Sequence, residues 1–135
     1  MDVLTLGTFD LPHYGHFNLI ERCKQFGVVW VGLNSDEFVE KYKGKPPVMT
    51  YNERRITLEQ WGCQVCKNDQ PDGTIKDVIS YTNPDLIVIG TDWLRKPYLE
   101  QIGLTVDDLE ANNISLMYVP YTKGISTTEI KARMQ

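Results

Sequence analysis

The apolar positions of this chain fall into short continuous runs, separated by stretches with a helical rhythm. Residues 2–6, DVLTL, are apolar on both faces and end at Gly7, which reads as a buried strand. From Gly15 the spacing changes. Leu19, Ile20, Cys23 and Phe26 share one helical face, and Gly27 suits the cap that ends it. VVWVGL (28–33) is strand-like again, and NSDEF (34–38) leaves it through a polar turn. KYKGKPPVM (41–49), with its lysines, glycine and prolines, predicts a basic loop. Thr50 and Glu53 have the spacing of a capping box and open a helix that runs to about Trp61. QVCK (64–67) is a short strand, NDQPDG a turn, and TIKDVISYT (74–82) a helix with Ile75, Val78 and Ile79 inward. DLIVIG (85–90) is the clearest buried strand, and TDWLRKPY follows it as a loop. A short helix over 105–112 and a strand over 114–120 come next. Ser126 and Glu129 form a second capping box, opening a last helix with Ile130 and Met134 on one face.

Strands thus alternate with helices, and several strands are apolar throughout. That is the pattern of a parallel sheet covered on both faces. It predicts one doubly wound, Rossmann-like α/β domain over residues 1–135, with about five strands. In such folds ligands bind outside the carboxyl ends of the strands. Attention therefore goes to GTFDLPHYGH, NSDEF, GTDW and YTKGISTT.

Composition narrows the function. A formal charge of −4 and a pI near 5.1 argue against a general nucleic-acid binder, though not against a nucleotide site. No apolar run approaches the ~18 residues of a membrane span, and the first residues carry no basic cluster of a signal peptide. Three cysteines, Cys23, Cys63 and Cys66, fit a reducing cytoplasm better than a disulfide framework. The CxxC at Cys63 and Cys66 lacks the further ligands a zinc site needs, so the cysteines read as structural and no metal site is assigned.

Both histidines of the chain, His13 and His16, stand in GTFDLPHYGH, with Gly15 between them. The stretch follows a strand and opens a helix, whose N-terminus favours phosphate. Two imidazoles at this spacing can donate to phosphate oxygens and favour the charge that grows in a phosphoryl-type transfer. Gly15 lets a ligand approach the backbone.

GTFDLPHYGHFNLIERCKQFG and GISTTEIK (124–131), with YNER, the Lys43–Gly44 pair and GTDW in order between them, resemble the HxGH nucleotidyltransferase superfamily. Within it the chain is most similar to glycerol-3-phosphate cytidylyltransferase-like proteins. The resemblance implies that an acceptor phosphate attacks the α-phosphate of CTP and releases pyrophosphate, with magnesium carried by the triphosphate. It implies His13, His16 and Lys43 as catalytic, Lys41 and Lys45 competing with Lys43. Thr8, Phe9, Asp10, Gly15, His16, Asp92, Gly124, Ser126, Thr127 and Thr128 would bind the nucleotide. Asp36, Lys43 and Arg54 would face the acceptor, a small phosphorylated alcohol, and Trp93 would be pocket wall or core. Ser126 would cap the last helix and leave Thr127 to the triphosphate. The family arginine is replaced here by Tyr121, with Lys123 two residues on, and this leaves ATP as an alternative to CTP. A non-catalytic nucleotide-binding protein is a further alternative. Residues 94–113 are longer than the matching family segment. The resemblance also implies a homodimer in the cytoplasm, with no nucleic-acid partner.

Overall fold

A computed structural model describes residues 1–70, 73–90, 98–120 and 122–134. Its elements in chain order are β1 (Asp2–Gly7), α1 (Tyr14–Lys24), β2 (Val28–Asn34), α2 (Asp36–Lys43), α3 (Tyr51–Gln60) and β3 (Gln64–Asn68). They continue with α4 (Lys76–Thr82), β4 (Leu86–Gly90), α5 (Tyr98–Gln101), α6 (Val106–Ala111), β5 (Ser115–Val119) and α7 (Thr127–Arg133). The five strands form one parallel sheet in the order β3-β2-β1-β4-β5. The doubly wound class read from the sequence is the class observed. The strand order reverses between β1 and β4, so the loops leaving those two strands part and open a crevice.

Alternate strand residues feed two cores. Val3, Val29, Val31, Leu33 and Val88 pack with Ile20 and Cys23 of α1 and Leu58 of α3. Leu4, Ile87 and Ile89 pack on the other face with Val78 and Ile79 of α4, Tyr98 of α5 and Leu109 of α6. Part of the long 94–113 segment is therefore core-forming. Cys23 and Cys63 sit in the first core, and burial pushes their thiols up to about 12 and about 11. Such thiols stay protonated at neutral pH, as structural cysteines do. No helix among the described residues is long and apolar enough to cross a membrane.

Three local expectations change. Asp36–Phe38 of NSDEF and the first lysines of the basic stretch form α2, where a turn and loop were expected. Ser35 caps it by accepting from the Phe38 amide at 3.0 Å. Asp36 and Glu37 lie in its first turn, Lys41 and Lys43 in its last, and Gly44 ends it at φ 84°. Charges so placed complement the helix dipole, and left-handed glycine is the usual stop. Phe26 lies past the end of α1 and is 38% exposed, and Gly27 serves a close approach instead of a helix cap. A Cβ on Gly27 would stand 1.9 Å from the Met1 carbonyl oxygen. Met134 is exposed and anchors nothing.

Arg54 differs most from expectation. It was assigned to the acceptor side, yet the side chain has no exposed surface. Its Nε donates to Met49 O at 3.0 Å, and its Nη1 donates to Thr8 O at 2.7 Å and Asn34 O at 2.9 Å. Its Nη2 pairs with Asp36 Oδ1 at 2.6 Å. Every nitrogen of the guanidinium is engaged by protein, and Arg54 is not among the residues that line the cleft. Asp36, likewise assigned to substrate, is its counter-ion and also accepts from the Tyr51 amide. Removing a buried guanidinium strands both its counter-ion and the carbonyls it satisfied. Arg54→Met is therefore expected to lower unfolding free energy by about 3–5 kcal/mol in urea titrations. Arg54→Lys should recover only part of that, because one ammonium cannot span the same three carbonyls and carboxylate.

Candidate active site

A cleft of about 370 Å³ opens at the carboxyl ends of the strands. Its walls include Gly7 at the end of β1 and Thr8 after it, Asn34 at the end of β2, Asn68 at the end of β3, Gly90 at the end of β4, and Pro120, Ile125, Ser126 and Thr127 beyond β5. His13 and His16 stand over the point where the sheet order reverses.

The histidines build the start of α1 themselves. His13 is the N-cap, and its Nδ1 accepts from the Gly15 amide at 3.1 Å. The His13 amide in turn donates to His16 Nδ1 at 3.2 Å, closing a reciprocal capping box made of two imidazoles. The rings stack with centroids 3.8 Å apart and 23° between planes. A ring nitrogen that accepts carries no proton, so these two bonds assign both neutral rings to the Nε2–H tautomer. The helix-end N–H groups are thus partly consumed by the cap, and the imidazoles offer Nε2–H donors in their place. Gly15 leaves no room for more: a Cβ there would meet the His13 ring at 2.9 Å and Ile125 Cγ2 at 3.2 Å.

Both rings are held neutral. Burial pushes His16 down to about 3, His13 beside it adds to the effect, and Asp10 opposes it. Burial also lowers His13. The described part of the cleft wall contains no Lys, Arg, Asp or Glu.

Asp10 ties the cleft rim together without lining the cleft, contrary to its assignment to the nucleotide pocket. It is 4% exposed, accepts from the Val48 amide at 2.9 Å and the Met49 amide at 3.0 Å, and pairs with Lys131 at 3.3 Å. Burial works to raise its carboxyl, but the Met49 and Val48 amides and Lys131 together hold it below the ordinary carboxylate value. Its carbonyl accepts from the Thr127 hydroxyl at 2.7 Å. That hydroxyl was expected to serve the triphosphate; its proton is already given to the loop. Ser126 caps α7 by accepting from the Glu129 amide, as expected, and lines the cleft.

Of the assigned residues, Thr8, Phe9, His13, Gly15, His16, Ser126 and Thr127 come together around the cleft. Gly124 and Thr128 lie outside its wall, exposed at the turn into α7 and in its first turn. Lys43 is exposed at the end of α2, its Nζ 5.8 Å from the ring centre of Tyr42, which does line the cleft. Asp92, Trp93 and Tyr121 lie outside the described residues. Sequence reasoning missed Asn34, Asn68, Phe38, Tyr42, Tyr98 and Gln101. Asn34 and Asn68 were findable as the polar last residues of adjacent strands. Tyr98 and Gln101 come from α5, within the long 94–113 segment, and no periodicity marked them.

Residues 4–133 match the family model described as cytidylyltransferase-like. The chain belongs to that family. A glycerol-3-phosphate cytidylyltransferase of Bacillus subtilis is 36% identical over 132 residues, covering 96% of this chain and 93% of the relative. The protein of that name from Staphylococcus aureus is 31% identical, covering 98% and 93%. The bifunctional protein HldE of Helicobacter pylori strain Shi470 is 37% identical, but the matched part is 27% of its length. A solved lipopolysaccharide core biosynthesis protein from Thermoplasma volcanium shares the fold, with a TM-score of 0.65 at 18% identity, covering 91% of this chain and 98% of that one.

The neutral state of His16 carries a pH signature. The unfolded chain takes up a proton near the ordinary histidine value of 6.5, and the folded chain refuses it until about pH 3. The stabilisation is complete above pH 6.5 and is lost as pH falls through that window. Urea unfolding between pH 7.5 and 4.5 should show the wild type losing up to about 1.4 kcal/mol per pH unit more than His16→Asn, whose carbonyl can still accept from the His13 amide. Equal slopes would contradict a half-buried His16 held neutral.

Proposed function

We propose that this protein is a cytidylyltransferase that transfers CMP from CTP to glycerol 3-phosphate and releases pyrophosphate. The observation that carries the reading is the identity to glycerol-3-phosphate cytidylyltransferases, 31–37% over nearly the full length of both partners. The cleft supplies suitable chemistry: two imidazoles whose Nδ1 atoms are occupied, leaving Nε2–H donors, line it at a helix start where the sheet order reverses.

In the proposed reaction, a phosphate oxygen of glycerol 3-phosphate forms a bond to the α-phosphorus. The bond from that phosphorus to the bridging oxygen breaks, and pyrophosphate leaves with the electron pair. The protein forms no covalent bond and supplies position and charge stabilisation. His13 and His16 donate to oxygens whose negative charge grows, and the phosphates in turn favour protonation of the rings. Lys43 supplies positive charge from the rim, where Gly44 lets the following backbone turn. Magnesium enters bound to the triphosphate, as part of the substrate. The active species is a homodimer, which sedimentation would reveal.

Pyrophosphate release with CTP and glycerol 3-phosphate tests the reading. CTP should raise the melting temperature and support turnover, and ATP should do neither. Turnover with ATP alone would reassign the base, and folded protein inactive with every triphosphate would defeat the proposal. His16→Ala is expected to cost about 10²–10³-fold, mostly in kcat, because it removes a donor aimed at developing charge.

A further inference from the structure

Two amides beside the histidines form a hydrogen-bond chain with a direction. Asn34 closes β2 and Asn68 closes β3, and they are register partners on neighbouring strands. Asn68 is 5% exposed. Its Nδ2 donates to Asn34 Oδ1 at 2.9 Å, and Asn34 Nδ2 donates to the Thr8 hydroxyl oxygen at 3.0 Å. All three residues line the cleft. At the far end, Asn68 Oδ1 is buried and accepts nothing among the described residues. At the near end, the Thr8 oxygen is occupied as an acceptor, so its own proton remains to be given.

The reverse direction satisfies the same three side chains. The hydroxyl would donate to Asn34 Oδ1, and Asn34 Nδ2 would donate to Asn68 Oδ1, because a hydroxyl and a primary amide each carry donor and acceptor groups. The two directions differ in what Thr8 presents to the cleft: a proton in the first, lone pairs in the second. Ionised phosphate oxygens accept and do not donate, so only the first direction serves them.

We propose that Asn34 and Asn68 are positioning residues of the phosphate site that act through Thr8. Their relay leaves the Thr8 hydroxyl as a third neutral donor toward the phosphates, beside the two Nε2–H groups. An anion at Thr8 in turn holds the relay in the observed direction. The proposal rests on the nucleotidyl-transfer reading above.

Asn68→Asp tests it from two strands away. An ionised aspartate offers Asn34 only acceptors, so Asn34 turns its Nδ2 toward residue 68 and its Oδ1 toward Thr8, drawing the Thr8 proton out of the cleft. The measurements are kcat/KM for pyrophosphate release with CTP and glycerol 3-phosphate, and the calorimetric Kd for CTP. They are made on the wild type, Asn68→Asp, Thr8→Val and the double variant. Asn68→Asp should lose about 10- to 100-fold in kcat/KM, the cost of one lost polar contact. The double variant should lose no more than Thr8→Val alone, and the loss from Asn68→Asp should return in a Thr8→Ser background. Additive losses in the double variant, or an Asn68→Asp enzyme as active as wild type, would overturn the proposal. If melting shows Asn68→Asp unfolded, Asn34→Asp replaces it, since that carboxylate also takes the Thr8 proton. A wild type that binds CTP but releases no pyrophosphate defeats the reaction assignment, and the same cycle read in the CTP Kd then decides the relay.

Discussion

One guanidinium holds the floor of this site. Arg54 lies wholly inside the protein and joins the ends of two strands to the loop before α3, through Thr8, Asn34 and Met49 carbonyls. Parallel strands end with carbonyls that their neighbours no longer satisfy, and a crevice at that edge leaves them shielded from water. A planar group with five donors in a fixed fork satisfies several of them at once and still pairs with a carboxylate. Asp10 answers it from the anionic side. Its carboxylate takes the Val48 and Met49 amides while Arg54 takes the Met49 carbonyl, so the loop between α2 and α3 is gripped by a cation and an anion together. Lys131 and Thr127 extend that grip to α7.

This framework explains which parts of the molecule could be read from the sequence. The apolar runs of β1, β2 and β4 and the capping pairs at Thr50 and Ser126 are local signals, and each element stands where its signal placed it. Histidine was equally visible, because the only two in the chain share one helix start. What local pattern does not encode is the partner of a charge. Arg54, Asp36 and Asp10 are the residue types that bind phosphates and hydroxyls elsewhere, and sequence assigned them to ligands. In the fold Arg54 meets Asp36 and the Thr8 and Asn34 carbonyls, and Asp10 meets the Val48 and Met49 amides, across 18 to 46 residues of separation. The α2 helix was missed for a different reason: its serine cap, acidic first turn and glycine stop were all present, but its short core-facing side buries only Val39.

The same framework separates structural charge from catalytic donors. Below the cleft the charges are paired, and Arg54 and Asp10 are buried. Around it, among the described residues, the donors are neutral. An unpaired cation held in the empty cleft would suffer a desolvation cost that nothing there offsets. A neutral imidazole or hydroxyl suffers much less, yet it still presents an oriented dipole that needs no rearrangement when charge develops on the substrate. Full positive charge can then be supplied from exposed positions such as Lys43, where water solvates the ammonium until the phosphates arrive. Neutral donors leave one requirement, that each show its proton to the ligand and not its lone pair. The reciprocal cap meets it for both imidazoles by occupying each Nδ1, and an amide at a strand end can meet it for a hydroxyl. In a site built this way, the direction of the hydrogen bonds matters as much as their number.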